Sequence, residues 1–121
     1  MTYKLRREQR LTHSIDIQRV LKDPIDRKYY KVIRVVWRMN GFGFPRFTVS
    51  VAKRHVKSAV RRNLIKRVIR EWFRLNQSEL PDIDLVFLTK SPTGSSKTNQ
   101  QLKEELRLDL FRFKNAVSPT T

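Results

Sequence analysis

The stretch Val51-Ala52-Lys53-Arg54-His55-Val56-Lys57-Ser58-Ala59-Val60-Arg61-Arg62-Asn63-Leu64-Ile65-Lys66-Arg67-Val68-Ile69-Arg70-Glu71-Trp72-Phe73-Arg74 carries a single carboxylate, Glu71, among its many cations. Residues 58–76 read as one long helix, and Pro81 closes the loop that follows. At about 100° per residue, Leu64, Ile65, Val68, Ile69, Trp72 and Leu75 fall on one broad arc that should face a core. Asn63, Lys66, Arg67, Arg70 and Arg74 gather on the opposite arc, with Arg62 at its edge. A merely solvated helix face would interleave Glu for i, i+4 pairs, and this one does not. Guanidinium forks bind phosphate oxygens bidentately, ammonium groups act as point charges, and an Asn amide both donates and accepts. The cationic arc therefore suits a phosphate backbone.

Working outward from this helix, residues 46–52 alternate, with Phe47, Val49 and Val51 opposed to Thr48 and Ser50. Residues 30–39 alternate as well: Lys31, Ile33, Val35, Trp37 and Met39 on one side, Tyr30, Val32, Arg34, Val36 and Arg38 on the other. With Asn40-Gly41-Phe42-Gly43-Phe44-Pro45 as the turn between them, the two strands are expected to form an antiparallel hairpin. Residues 83–89 are a mostly apolar run of strand length, as in a buried strand. Ahead of the strands, Thr12 or Ser14 can cap a short helix ended by Pro24, in which Ile17, Val20 and Leu21 share a face. At the other end, Thr98 and Gln101 stand in capping-box spacing before Leu102, Leu106, Leu110 and Phe113, the stripe of a last amphipathic helix. The order α-β-β-α-β-α, with room for one extra short strand, describes an α+β domain: a small mixed sheet packed by helices. No internal repeat is present. The only low-complexity stretch, Ser91-Pro92-Thr93-Gly94-Ser95-Ser96, reads as a loop.

Composition narrows the function. The chain has 121 residues, suited to one domain with a real core, and a net charge of +16 from 27 Lys and Arg against 11 Asp and Glu. Apolar residues at 39% are too many for a disordered basic tail. Cysteine is absent, which excludes disulfide scaffolds, thiolate zinc sites and cysteine nucleophiles and fits a reducing cytoplasm. The N-terminus has no apolar signal-like region, and no run approaches the ~18 apolar residues of a membrane span. A soluble, cytoplasmic protein with a polyanionic partner is expected. Nucleic acid leads over an anionic membrane surface, because binding it releases condensed counterions.

The residues Ala59-x-x-Arg62-Asn63-Leu64-Ile65-Lys66-Arg67-Val68-x-Arg70-Glu71 resemble the signature helix of the bacterial ribonuclease P protein component, and Val51-Ala52-Lys53-Arg54 is similar to the strand end that precedes it there. The likeness extends to Asp16-Ile17-Gln18-Arg19-Val20-Leu21 at the position of the family's first helix and to the Leu80-Pro81-x-x-Asp84 approach to a strand. Two positions depart from the pattern. Leu64 replaces the second Arg of the usual Arg-Asn-Arg, with Arg61 standing nearby as a substitute charge. Ile17 and Leu21 stand where the family often has phenylalanines, so van der Waals contact replaces stacking.

The resemblance implies the protein subunit of a ribonucleoprotein endonuclease that removes the 5′ leader from precursor tRNA. Its catalytic groups, with bound Mg2+, would belong to the RNA subunit and none to this chain. Consistent with that, the only histidines are His13 and His55, and Asp16, Asp23 and Asp26 show no metal-ligand or triad spacing. On this resemblance Lys53, Arg54, Lys57, Arg61, Arg62, Asn63, Lys66, Arg67 and Arg70 would grip the ribonuclease P RNA through phosphates and shape. A second surface, a cleft between the first helix and the open sheet face, would hold the leader, lined by Ile17, Leu21, Tyr30, Arg34, Arg38, Thr48 and Ser50. The unit of strand 46–52, helix 58–76 and strand 83–89 is similar to one with a left-handed crossover, against the usual right-handed preference, and its hand stays open. A ribosomal RNA-binding protein is the nearest alternative. A self-sufficient nuclease lacks its acids, bases and ligands here, and a major-groove DNA reader would show a turn joining two short helices rather than a long helix flanked by strands.

Overall fold

The computed structural model describes residues 7–90 and 98–117. The expected loop at residues 91–96 lies outside them. A 3-10 turn at Arg7–Gln9 leads into α1 (Ser14–Lys22), β1 (Asp26–Tyr29), β2 (Ile33–Met39), β3 (Arg46–Ser50), α2 (Ala59–Asn76), a second 3-10 turn (Gln77–Glu79), β4 (Ile83–Thr89) and α3 (Asn99–Val117). The α+β class and element order agree with the reading of the sequence, and β1 is the extra strand.

The expected hairpin does not form. The four strands run in the order β1-β2-β4-β3, with β4 inserted between the two predicted partners, antiparallel to β2 and parallel to β3. The reason lies in β4 itself. Leu85 and Phe87 join the main core, and Val86 and Leu88 join a second cluster on the other face. A strand apolar on both faces belongs in the middle of a sheet. With Thr48 and Ser50 on its outer face, β3 suits the edge, where the N-terminal segment covers it: the Leu11 N–H donates to the Phe47 carbonyl at 2.7 Å, and Arg10 bridges Phe47 in parallel. The linker between β2 and β3 crosses β4 on Gly41 and Gly43, with φ of 73° and 83°. Asn40 braces it by accepting from the Phe42 N–H and donating to the Phe44 carbonyl and the Asp84 carboxylate.

One sheet face carries the main core under α2 and α3. Phe47 stacks on Phe73 at 4.2 Å, and Trp37, Phe87, Trp72 and Phe113 meet at edges and tilts. Val20, with half-buried Ile17 and Leu21, seats α1 on Leu11, Val36, Val86 and Leu88 of the other face. The α1 cap differs from expectation: His13 is the N-cap residue, with no side-chain cap bond, and neither Thr12 nor Ser14 serves. The α3 capping box is as read, and α2 starts with a Ser58 cap that the sequence reading did not name. Ser58 Oγ accepts from the Arg61 N–H, and Thr98 and Gln101 exchange reciprocal bonds of 3.1 and 2.9 Å.

Asp109 of α3 is a structural feature that the sequence did not reveal. Its buried carboxylate accepts from the backbone N–H groups of Lys31, Val32 and Ile33, tying α3 to the turn between β1 and β2. Burial pushes its carboxyl above the usual range, against the pull of those three N–H groups and of Arg112.

Candidate nucleic-acid interface

α2 has the sidedness that its periodicity implies. Leu64, Ile65, Val68 and Ile69 are buried, whereas Asn63, Lys66, Arg67 and Arg70 are exposed. Two positions differ from the expected arc. Phe73 is fully buried, drawn inward by its stack with Phe47, and Leu75 is 47% exposed. Leu64, at the position where a third cation would complete the motif, is only 6% exposed and packs in the main core with Val56. Arg74 leaves the stripe by pairing with Glu71, which in turn holds the Glu71 carboxyl below its ordinary range.

The flanking cations serve two purposes. Lys53, Arg54 and Lys57 are exposed on a loop that folds back through bonds from the His55 and Val56 N–H groups to the Ala52 carbonyl. Arg62 is half-buried, and its Nη1 donates to the carbonyls of Val56 at 3.0 Å and Lys57 at 2.8 Å, fastening that loop to the helix start. Arg61 is half-buried beside it. His55 Nδ1 lies 3.1 Å from the Thr89 hydroxyl, so the ring serves as a tether to β4 rather than as a free base.

The second sheet face follows from register. Tyr29, Arg34, Leu88 and Ser50 form one row across the strands, and Arg27, Val36, Val86 and Thr48 form the next. α1 seats on the second row, leaving Tyr29 (57% exposed) and Ser50 open in the first and Arg34 half-open. Hydrogen bonds from Arg34 and then Arg27 pull the Tyr29 hydroxyl below its ordinary pKa. An aromatic ring flanked by two guanidinium groups therefore sits on the open surface.

Two expected cleft residues are engaged in other contacts. Tyr30 packs half-buried against the main core, where burial and then Asp109 raise its pKa. The chain turns between Tyr29 and Ile33, closed by a bond from the Tyr30 N–H to the Ile33 carbonyl, so Tyr29, not Tyr30, shares a row with Arg34. Arg38 does face this side, but its Nη1 donates to the Asp23 carbonyl at 2.9 Å and the Asp23 carboxylate at 2.5 Å, so it closes the end of α1. Ile17 and Leu21 pack half-buried against the cluster that seats α1. Tyr29 and Arg27 carry no sequence signal of a strand, because β1 is four exposed residues with no apolar period.

The two surfaces meet at the edge strand. Lys66 and Arg70 of α2 line a cleft of about 190 Å³ together with Arg10, Thr12 and Thr48. The α2 stripe thus continues around β3 toward the open face. Among the described residues, no group of three His, Asp or Glu side chains converges as a metal site, and no helix is long and apolar enough to cross a membrane.

Comparison with known proteins points the same way. The sequence profile of the family described as Ribonuclease P matches residues 5–114. The ribonuclease P protein component of Pectobacterium atrosepticum is 43% identical over 87 residues, covering 72% of this chain and 71% of its own. That of Haemophilus influenzae is 42% identical over 88 residues, covering 73% of each chain. The Staphylococcus aureus RNase P protein structure superposes with a TM-score of 0.73 at 25% identity, over 91% of this chain and 98% of that one. These matches do not favour the ribosomal alternative. Profile, relatives, fold and the sided basic helix agree: the chain belongs to the ribonuclease P protein family, the protein subunits of a ribonucleoprotein endoribonuclease.

Proposed function

We propose that this subunit grips the ribonuclease P RNA with the α2 stripe and passes the 5′ leader of precursor tRNA across the open sheet face beside α1. The observation that carries this reading is the cleft shared by Lys66, Arg70 and Thr48, which makes the two surfaces continuous. Lys53, Arg54, Lys57, Arg61, Arg62, Asn63, Lys66, Arg67 and Arg70 meet the RNA subunit. Arg34, Thr48 and Ser50, with Tyr29 in place of Tyr30, meet the leader, while Ile17 and Leu21 form the wall. A single strand suits the second surface, because an exposed ring offers a stacking platform and the guanidinium groups track its phosphates.

Hydrolysis itself is assigned to the RNA, whose bound Mg2+ would activate water. This chain positions and neutralises, and its site of action is the cytoplasm. The purified protein should leave precursor tRNA intact, and adding a bacterial ribonuclease P RNA with magnesium at low salt should restore leader removal. Magnesium-dependent cleavage by the protein alone, abolished by one carboxylate substitution, would overturn this division of labour. Within the holoenzyme, Arg34→Ala should weaken binding of leader-bearing substrate about tenfold. It should leave a substrate trimmed to one leader nucleotide unaffected, and equal losses on both substrates would remove Arg34 from the leader path.

A further inference from the structure

A groove of about 430 Å³ runs between α2 and α3, lined by residues of those two helices only. Val68, Trp72 and Leu75 supply an apolar wall in which Trp72 is half-buried and Leu75 largely open. The Trp72 ring is held in place by Phe87 and Phe113, with centroids 6.1 and 6.0 Å away. Arg67 and Asn76 on α2 and Lys103 and Arg107 on α3 add polar lining, the last two one helical turn apart. None of these three cations has an ion-pair or hydrogen-bond partner among the described residues. The one carboxylate of the groove, Glu71, is already engaged by Arg74.

We propose that this groove is a second seat for the ribonuclease P RNA, occupied by an unpaired nucleotide segment whose phosphates meet Lys103 and Arg107 and whose base lies against Trp72 and Leu75. The inference rests on the α2 stripe binding that RNA, and Arg67 belongs to both surfaces, so the cationic rim continues from one to the other. A paired A-form helix would press its phosphates onto the apolar wall and leave Trp72 and Leu75 without a matching surface. An unpaired nucleotide supplies a flat apolar face and a charged backbone together. An acidic protein segment would satisfy the charges, but its carboxylates have no counterpart to the half-buried ring that a base would cover.

The test compares two double variants for binding to a bacterial ribonuclease P RNA. Lys103→Ala/Arg107→Ala, checked for a native circular dichroism spectrum, should weaken binding about tenfold at physiological salt and flatten the plot of log K against log salt by up to about 1.5 units. Lys66→Ala/Arg70→Ala provides the independent measure of the α2 stripe. Because the chain has no cysteine, Arg107→Cys can also carry a single tethered iron-EDTA group. In the assembled holoenzyme it should cut the RNA in an unpaired segment distinct from the one cut from Asn63→Cys. Wild-type affinity and slope for the α3 variant overturn the inference, as do cuts confined to paired RNA. If the stripe variant weakens binding while the α3 variant does not, the groove alone is refuted. If neither weakens it, the stripe reading fails as well.

Discussion

Replacing Lys66, Arg67 and Arg70 together by alanine is expected to weaken binding of the ribonuclease P RNA at least 100-fold at physiological salt, at roughly fivefold to tenfold per lost charge-assisted contact. The same variant should flatten the salt dependence by about two units of slope, because each neutralised phosphate releases its condensed counterion. Folding should be nearly unaffected. All three side chains are exposed, and the buried arc that fixes the helix to the sheet is Leu64, Ile65, Val68, Ile69 and Phe73. A filter-binding titration across salt concentrations, set beside a thermal melt, separates the two effects. An unchanged slope with an unchanged melt would return the stripe to an ordinary solvated face.

Asp84→Ala is expected to destabilise the domain by roughly 3–5 kcal/mol, because it strands a largely buried guanidinium. Arg46 Nε and Nη2 lie 2.8 and 2.6 Å from the Asp84 carboxylate, with the two side chains only 14% and 9% exposed. The bond to Asp84 is the main cause of the raised Arg46 pKa, and a guanidinium is basic enough to stay charged even after that partner is removed. What remains for it is Asp16 at 3.8 Å and the Phe42 ring, whose centroid is 4.4 Å from Cζ. The Asn40 amide loses an acceptor at the same time. Urea denaturation measures the loss, and the double substitution Arg46→Met/Asp84→Leu should recover most of it, since an apolar pair avoids the desolvation of both charges. An Asp84→Ala loss under about 1 kcal/mol would mean that the pair is solvated in solution. Because Asp16 belongs to α1, this network also anchors the helix that would wall the proposed leader surface.

Local patterns carried much of this molecule. The sidedness of α2, the capping box of α3 and the limits of β4 follow from side chains within a few residues of one another, and the structure reproduces them. The polar, basic arc proposed to face RNA was legible for the same reason: a helix period places Asn63, Lys66, Arg67 and Arg70 together whatever the arc packs against. The surface proposed for the leader was only partly legible. Arg34, Thr48 and Ser50 were assigned correctly to one sheet face, but a turn of three residues shifted the aromatic from Tyr30 to Tyr29.

Where the sequence misled, the deciding contact was distant. The hairpin expected between β2 and β3 gave way to β4, because a strand with two apolar faces gains more from a central position than from an edge, and that competition is decided only once the whole sheet is assembled. Arg38 is free in a strand pattern and bound once Asp23 closes α1 beside it. Asp109 reads as one polar residue in an amphipathic helix until the β1–β2 turn presents three N–H groups to it. Period and charge, which are properties of neighbours in the chain, determined the elements, the basic face and the family. Strand order, the open aromatic and the groove beside Trp72 depend on elements far apart in sequence, and only their packing decided them.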